Sequence, residues 1–345
     1  MEAPPVQYVT TTDGMNIAYC VTGEGIPLVR VPSMYGHFSL MWNRGILDHE
    51  FRALSENFQA VLFDCRGQGS STRGLTETTS LEDYVRDLEL LVDHLGLKRF
   101  VLLGVSAMAK IAVHYAAEHP DRVIALILNQ YRDNYRGTRT SLFETAKSDW
   151  PLHIQSDARL GWTWVNAETV VPVLRDSINQ EDFLREYLTM SAESGDAMLM
   201  RLQVPVLVTA VREASSGRPV AGEEEAKRIA AIVPNARLVL FDDIHGGLNP
   251  DEKGVRPAIA AIQNLLAELP ADSQTPMRSQ ATDGLSAREI EVLRLLAAGR
   301  SNVQIADELV ISPNTVNRHV SNIYAKTGAA NRAEAASYAT RNGLA

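Results

Sequence analysis

The sequence predicts an α/β fold: a mostly parallel sheet covered by helices on both faces, with a helical insertion and a separate all-helical tail. Three observations lead there. Short apolar runs at 28–31, 60–63, 100–103, 124–128, 206–211 and 237–241 alternate with amphipathic helical patterns, as strands buried on both faces require. That alternation lapses between about 131 and 202, where helical spacing dominates and Trp150, Trp162 and Trp164 are gathered. From Leu285 the chain is dense in helix start and stop signals, after a stretch at 270–283 rich in Pro, Ser, Gln, Thr and Asp with no apolar period.

In order, residues 6–21 read as a hairpin turning at Asp13-Gly14. The run 28–31 leads into a loop, Pro32-Ser33-Met34-Tyr35-Gly36. Strand 60–63 leads into Asp64-Cys65-Arg66-Gly67-Gln68-Gly69-Ser70. A helix over 80–97 starts at Ser80, with Asp83 three residues on, and carries the stripe Leu81, Val85, Leu88, Leu91, Val92 and Leu95. After strand 100–103 the apolar spacing of Ile111, Ala112, Tyr115 and Ala116 predicts a helix from Ser106 to Pro120. A sharp turn between such a strand and helix lifts a serine hydroxyl above the sheet and aims the next N–H groups at the same point. The usual pattern is G-x-S-x-G; here it is Gly104-Val105-Ser106-Ala107-Met108, without the second glycine. Helices at 223–233 and 255–269 flank the last strand.

At 345 residues, 45% hydrophobic and 22% charged, the chain is long enough for one large core and a smaller module. Cys20 and Cys65 fit neither a disulfide framework nor metal-ligand spacing, so a reducing compartment is expected; no metal site and no cofactor is expected either. No basic, apolar leader stands at Met1 and no apolar run is long enough for a membrane span, so the expectation is a cytoplasmic protein without a membrane partner. The net charge of −9 is unevenly spread, because from residue 281 on seven basic residues face six acidic ones. An acidic body repels a polyanion, which confines any nucleic-acid contact to the tail.

In the tail, Ser286 to Glu289 forms an S-x-x-E capping box, opening a helix with Ile290, Leu293, Leu296 and Ala297 inward and Gly299 at its end. A short helix spans 302–309. Ser312 and Pro313 open a third, whose inner face is Val316, Val320 and Ile323 and whose outer face is Asn314, Asn317, Arg318 and Ser321. Gly328 ends it, and Asn331 starts a fourth. This is a helix-turn-helix plan, and residues 285–345 closely resemble the DNA-binding domain of LuxR-type bacterial regulators. The resemblance implies that Asn317, Arg318 and Ser321 face base edges of a double-stranded operator, with Asn314, Thr315 and the helix N-terminus at phosphate. It also implies a homodimer. Asn317 stands where the family commonly has lysine.

The body, roughly 6–269, resembles the α/β-hydrolase superfamily in the elbow at Ser106, in Asp64-x-Arg66-Gly67-x-Gly69-x-Ser71, and in His245 after the last strand. The fold expected is therefore a hydrolase-like domain over 1–269 with a cap at about 131–202, a linker over 270–283 and a LuxR-type domain over 284–345. Acyl transfer needs a serine, a histidine, an orienting acid and two N–H donors. The resemblance supplies Ser106 and His245, the latter with a surface-loop histidine as its competing reading. The acid position falls on Ala214, with Glu213 one residue early and Asp133 a weaker substitute. Met34 and Ala107 would donate to the oxyanion, but Pro32-Ser33 replaces the family's His-Gly, and Lys110 stands where small residues are common. Ser33, Tyr35, Trp162 and Trp164, together with Ser106, His245, Met34 and Ala107, would line a mainly apolar cavity for a small molecule. The expectation is a ligand-responsive regulator; the alternative is an active esterase, lactonase or C–C hydrolase carrying the tail.

Overall fold

A computed structural model of the chain describes residues 3–133, 140–162, 165–192, 194–212, 222–242, 252–270, 285, 287–309, 311–341 and 344. Apart from the short turn Leu95–Lys98, it divides into two compact units between Pro276 and Met277.

The first unit is built on one eight-stranded sheet in the order β1-β2-β4-β3-β5-β6-β7-β8. Its strands are β1 Gln7–Thr10, β2 Asn16–Thr22, β3 Pro27–Val31, β4 Gln59–Phe63, β5 Phe100–Val105, β6 Val123–Asn129, β7 Val206–Val211 and β8 Arg237–Phe241. The hairpin β1–β2 pairs antiparallel and also joins β4 antiparallel, whereas β4 through β8 pair parallel. Buried on both faces, β3, β6 and β7 have no exposed position, which explains their unbroken apolar runs.

Two helices fill the segment between β3 and β4, α1 Phe38–Asn43 and α2 Asp48–Asn57, for which the sequence pattern gives no element beyond the loop 32–36. The reason lies on the buried face of α2. Glu50, 1% exposed, takes a core position beside Phe51 and Leu54, with its carboxylate on Arg30 of β3, so the apolar period is broken by a charge. Arg30 in turn lies over the Phe51 ring.

Helix α3 Leu81–His94 covers the sheet, and α4 Ala109–Glu118 follows β5 after a single 3-10 turn over Ser106–Met108. The insertion consists of α5 Thr140–Ser148, α6 Trp150–Gly161, α7 Ala167–Ser177, α8 Gln180–Ser191 and α9 Asp196–Leu199. Three of these helices have Asx N-caps: Asp149, Asn166 and Asn179 accept from the backbone of Leu152, Glu168 and Asp182. Helices α10 Glu223–Ile232 and α11 Glu252–Ala267 complete the unit.

The second unit is all-α: α12 Ala287–Ala297, α13 Asn302–Leu309, α14 Pro313–Thr327 and α15 Arg332–Arg341. Its core gathers Val292, Leu293, Leu296, Ile305, Ala306, Val316, Ile323, Ala335 and Ala339, the inward positions of the helical periods. Except for Pro270, residues 270–283 lie outside the described residues, as does Ser286 of the capping box.

Candidate functional site

The chain leaves β3 to build β4 on one side and then returns to build β5 on the other, so the direction of winding switches between β3 and β5. Crevices at the carboxyl ends of strands open at such a switch. Register sets Val31 beside Gly104, so Pro32, Ser33 and Met34 leave the sheet next to Val105 and Ser106.

At Ser106 the backbone turns through φ +56, the left-handed region that L-residues with a Cβ avoid. This is the nucleophile-elbow conformation. It is enforced from below: a Cβ on Gly104 would stand 2.6 Å from Ala109 Cβ and 2.7 Å from Ala109 Cα, so α4 crosses β5 only over a glycine. The missing second glycine does not open this packing. Met108 is wholly buried and helical (φ −67, ψ −15), and the close approach rests on Gly104, Ala109 and Ala112. Ser106 is half-buried and Ala107 is buried.

The neighbouring loop is held by three ties. Gly36 N–H donates to Gln68 Oε1 at 3.0 Å, and a Cβ on Gly36 would lie 2.3 Å from that oxygen. Gln68 Nε2 donates to Glu186 Oε2 at 2.6 Å, which carries the tie into α8 of the cap. Tyr35, also left-handed at φ +67, places its hydroxyl 2.7 Å from His153 Nε2 of α6 and stacks on Phe183 of α8. Tyr35 is 4% exposed and Met34 6%, so both are packing positions of the loop as it stands.

Asp64 and Arg66 are architecture. Asp64 accepts from Phe38 N–H and Ser70 N–H, both at 2.9 Å, and burial pushes its carboxyl up to about 7. Arg66 grips Asp87 through two bonds of 2.7 and 2.6 Å and reaches Asp13 at 3.0 Å.

Lys110 is 1% exposed and donates to Met190 O at 2.7 Å, at the end of α8. Its Nζ also lies 3.4 Å from Asp133 Oδ1. Asp133 accepts in addition from Gly195 N–H at 2.6 Å, the Ser194 hydroxyl at 2.8 Å and Tyr131 at 3.0 Å. Burial raises its carboxyl, but these donors and the Lys110 charge outweigh it and hold the carboxyl below its ordinary value. An acid so fully engaged is a clamp between the two ends of the cap, which sets Asp133 aside as the orienting group of a triad. Glu213, His245 and Trp164 lie outside the described residues. Trp162 is buried. Among the described residues no group of three or more His, Cys, Asp or Glu is arranged to hold a metal, and no helix is long and apolar enough to cross a membrane.

In the second unit, Ser312 accepts from Thr315 N–H at 3.1 Å, and its hydroxyl lies 2.8 Å from Thr315 Oγ1. Thr315 is thereby part of the cap of α14. Asn317, Arg318 and Ser321 are exposed, with Val316, Val320 and Ile323 buried behind them; the Asn314 side chain is outside the described set. Much of the remaining charge is spent internally: Arg300 on Glu308 at 2.9 Å, Lys326 on buried Glu289 at 2.7 Å.

Comparison with known proteins agrees with both halves. The profile of the α/β hydrolase fold matches residues 26–153, and that of the luxR family of bacterial regulatory proteins matches residues 283–339. A proline iminopeptidase of Arabidopsis thaliana is 34% identical over 106 residues, 30% of this chain and 26% of that protein. The transcriptional regulatory protein LiaR of Bacillus subtilis is 44% identical over 62 residues, 18% of this chain and 29% of that one. The chain thus spans under a third of the length of either. The crystal structure of the enol-lactonase from Burkholderia xenovorans superposes with TM-score 0.62 at 20% identity, covering 76% of this chain and all of that one, a likeness of fold. The chain therefore joins a body of the α/β-hydrolase fold to a C-terminal helix-turn-helix domain of the luxR family.

Sequence reasoning missed Gln68, His153, Phe183 and Glu186, which fix the loop beside Ser106. A signal was present only for Gln68, inside the Asp64–Ser71 motif.

Replacing Ser106 by Gly removes a left-handed Cβ strain of about 1–2 kcal/mol. Net of the greater freedom of unfolded glycine, denaturant titration of Ser106→Gly is expected to give about 0.5–1 kcal/mol more stability, whereas an ordinary serine position would lose stability.

Burial pushes Glu186 from 4.5 up to about 8, with the Gln68 bond opposing and Asp182 reinforcing the shift. The folded chain then holds a proton that the unfolded chain releases near 4.5, so this group's contribution to stability declines as pH rises from about 4.5 to about 8. Glu186→Gln should flatten that slope and add about 1–3 kcal/mol above pH 8, read from unfolding midpoints across the range.

Proposed function

We propose that the chain is a ligand-responsive, DNA-binding transcription regulator, cytoplasmic and homodimeric. In it a hydrolase-fold domain over 1–269 holds a small, mainly apolar molecule near Ser106, and a helix-turn-helix domain over 284–345 binds double-stranded DNA. The domains are joined by a linker over 270–283. The observation that carries this reading is α14: a Ser-capped helix with a buried apolar face and an exposed stripe of Asn317, Arg318 and Ser321, within a luxR-family domain. Such a helix, presented after a short turn, fits the major groove, and dimers of such domains read half-sites about one helical turn apart. Ser33, Met34 and Tyr35 on one side and Ser106 and Ala107 on the other stand at the winding switch where ligands of parallel sheets bind. Trp162, Trp164 and His245 complete the proposed lining. Ligand binding needs only shape and donors, whereas turnover needs every member of a triad placed.

With the protein titrated by esters, lactones and small aromatic acids while its binding to duplex DNA is followed by anisotropy, at least one class should change the DNA affinity about 5- to 150-fold, the range of allosteric coupling. Absence of an effect from every class would remove the sensor.

A second reading, an active serine hydrolase with Ser106, His245 and Glu213 as its triad, is favoured by the elbow conformation of Ser106 itself. Release of p-nitrophenol from simple esters, and fluorophosphonate labelling, both lost in Ser106→Ala, would establish it. For the regulator, neither exceeds the Ser106→Ala level.

A further inference from the structure

The outward stripe of α14 carries an asparagine, and a carboxamide alone is ambiguous: it offers an acceptor at one end and a donor at the other, and either can face a base. In this chain the ambiguity is removed by a relay of three side chains on three helices. Arg332, at the start of α15, is anchored by donating from Nη2 to the carbonyls of Leu296, at 3.2 Å, and Arg300. Its Nη1 points at the Asn302 side chain, 3.4 Å from Oδ1. A guanidinium can only donate, so the Asn302 end that meets it must be the oxygen. The other end of Asn302 is then the NH₂ group, which lies 2.7 Å from Asn317 and donates to its Oδ1. That in turn fixes Asn317: its oxygen is held toward α13, and its Nδ2, without a hydrogen bond among the described residues, is the atom left to the outside.

We infer that Asn302 is a specificity-determining residue that locks Asn317 as a donor, so that the base read by Asn317 in the major groove must present it an acceptor: guanine (O6, N7), thymine (O4) or adenine through N7 alone. The bidentate pairing of asparagine with adenine uses the amide oxygen as well as the nitrogen, and here the oxygen is held by α13. Cytosine offers only a donor at that edge and is rejected. The lock also removes the rotamer freedom that an exposed asparagine otherwise loses on binding. Asn302 itself need not touch DNA for this; it is a positioning residue acting through Asn317. The inference rests on the reading of α14 as the DNA-contacting helix.

The test is selection of binding sites by the full-length chain from a pool of randomised duplexes at one fixed salt concentration, with three variants alongside. Asn317→Ala identifies the base pair read by residue 317, as the position whose preference disappears. Asn302→Asp is the decisive variant, because aspartate keeps its bond to Arg332 but can only accept from residue 317. The Asn317 amide then turns over and its oxygen faces outward, so an amino group must stand where the parent's donor met an acceptor, and the preferred base pair at that position should change, by about fivefold or more. Asn302→Ala should broaden the preference without reversing it, and thermal melts establish that each variant is folded. An Asn302→Asp preference identical to that of the parent overturns the inference. Failure of every version to enrich any sequence would instead overturn the DNA-binding reading, and this inference with it.

Discussion

The close approach of α4 to β5 at Gly104 is the constraint from which the rest of the body follows. Because no side chain separates the two backbones there, the chain has a few residues in which to leave a buried strand and start a helix across it. The turn that accomplishes this puts Ser106 at φ +56. The strain is local and small beside the apolar surface of β3, β5 and β6 that it allows to be covered, and the fold keeps it because the alternative is a gap beneath α4. Its product is positional: one hydroxyl and the N–H of Ala107 at the carboxyl edge of the central strand, next to the loop from β3.

The cap is held over that edge by polar contacts at separated points. Lys110 meets the last turn of α8, Asp133 collects both ends of the insertion, and Gln68 reaches Glu186 in the middle of α8. Burying this much charge is costly, and none of these pairs is a strong argument for stability by itself. What they provide is registry. An apolar cap could slide on an apolar sheet edge, whereas a lysine, an aspartate and a glutamine, each bonded to more than one fixed partner, define one seating.

Much of this was legible in the sequence and some of it was not, for identifiable reasons. Strands β3 to β8 and the four tail helices follow from hydrophobic period and from caps such as Ser312 and Gly328. Helix α2 was hidden because Glu50 occupies a core position, its partner Arg30 lying on a strand twenty residues earlier. Lys110 read as a disturbance of the elbow, since its partners, Met190 and Asp133, are distant in sequence and close only through the cap. Tyr35 read as a lining residue, but its hydroxyl is directed to His153, 118 residues away. In each case pattern rules that look three or four residues along the chain cannot see a pairing made by topology. The same is true of Asn317, where the stripe showed an outward asparagine but the orientation of its amide depends on Arg332 in the following helix.

In the proposed regulator these contacts have a further consequence. A ligand shifts a conformational equilibrium only by the difference in its affinity for the two states, so the element that responds must touch the ligand and have two seatings. The loop Pro32–His37 meets the first condition in the proposed site, standing beside Ser106 and tied at Tyr35 and Gly36 to α6 and, through Gln68, to α8. The cap bears on the second, because registry made of a few polar contacts would be lost or gained as a unit, unlike packing that yields gradually. A molecule that displaced Tyr35 from His153 would release the loop and one face of the cap together. A catalyst needs that loop still while its oxyanion forms, whereas a sensor needs it to report, and the left-handed Tyr35, strained and stapled through its hydroxyl, suits a group that relaxes when the staple is drawn.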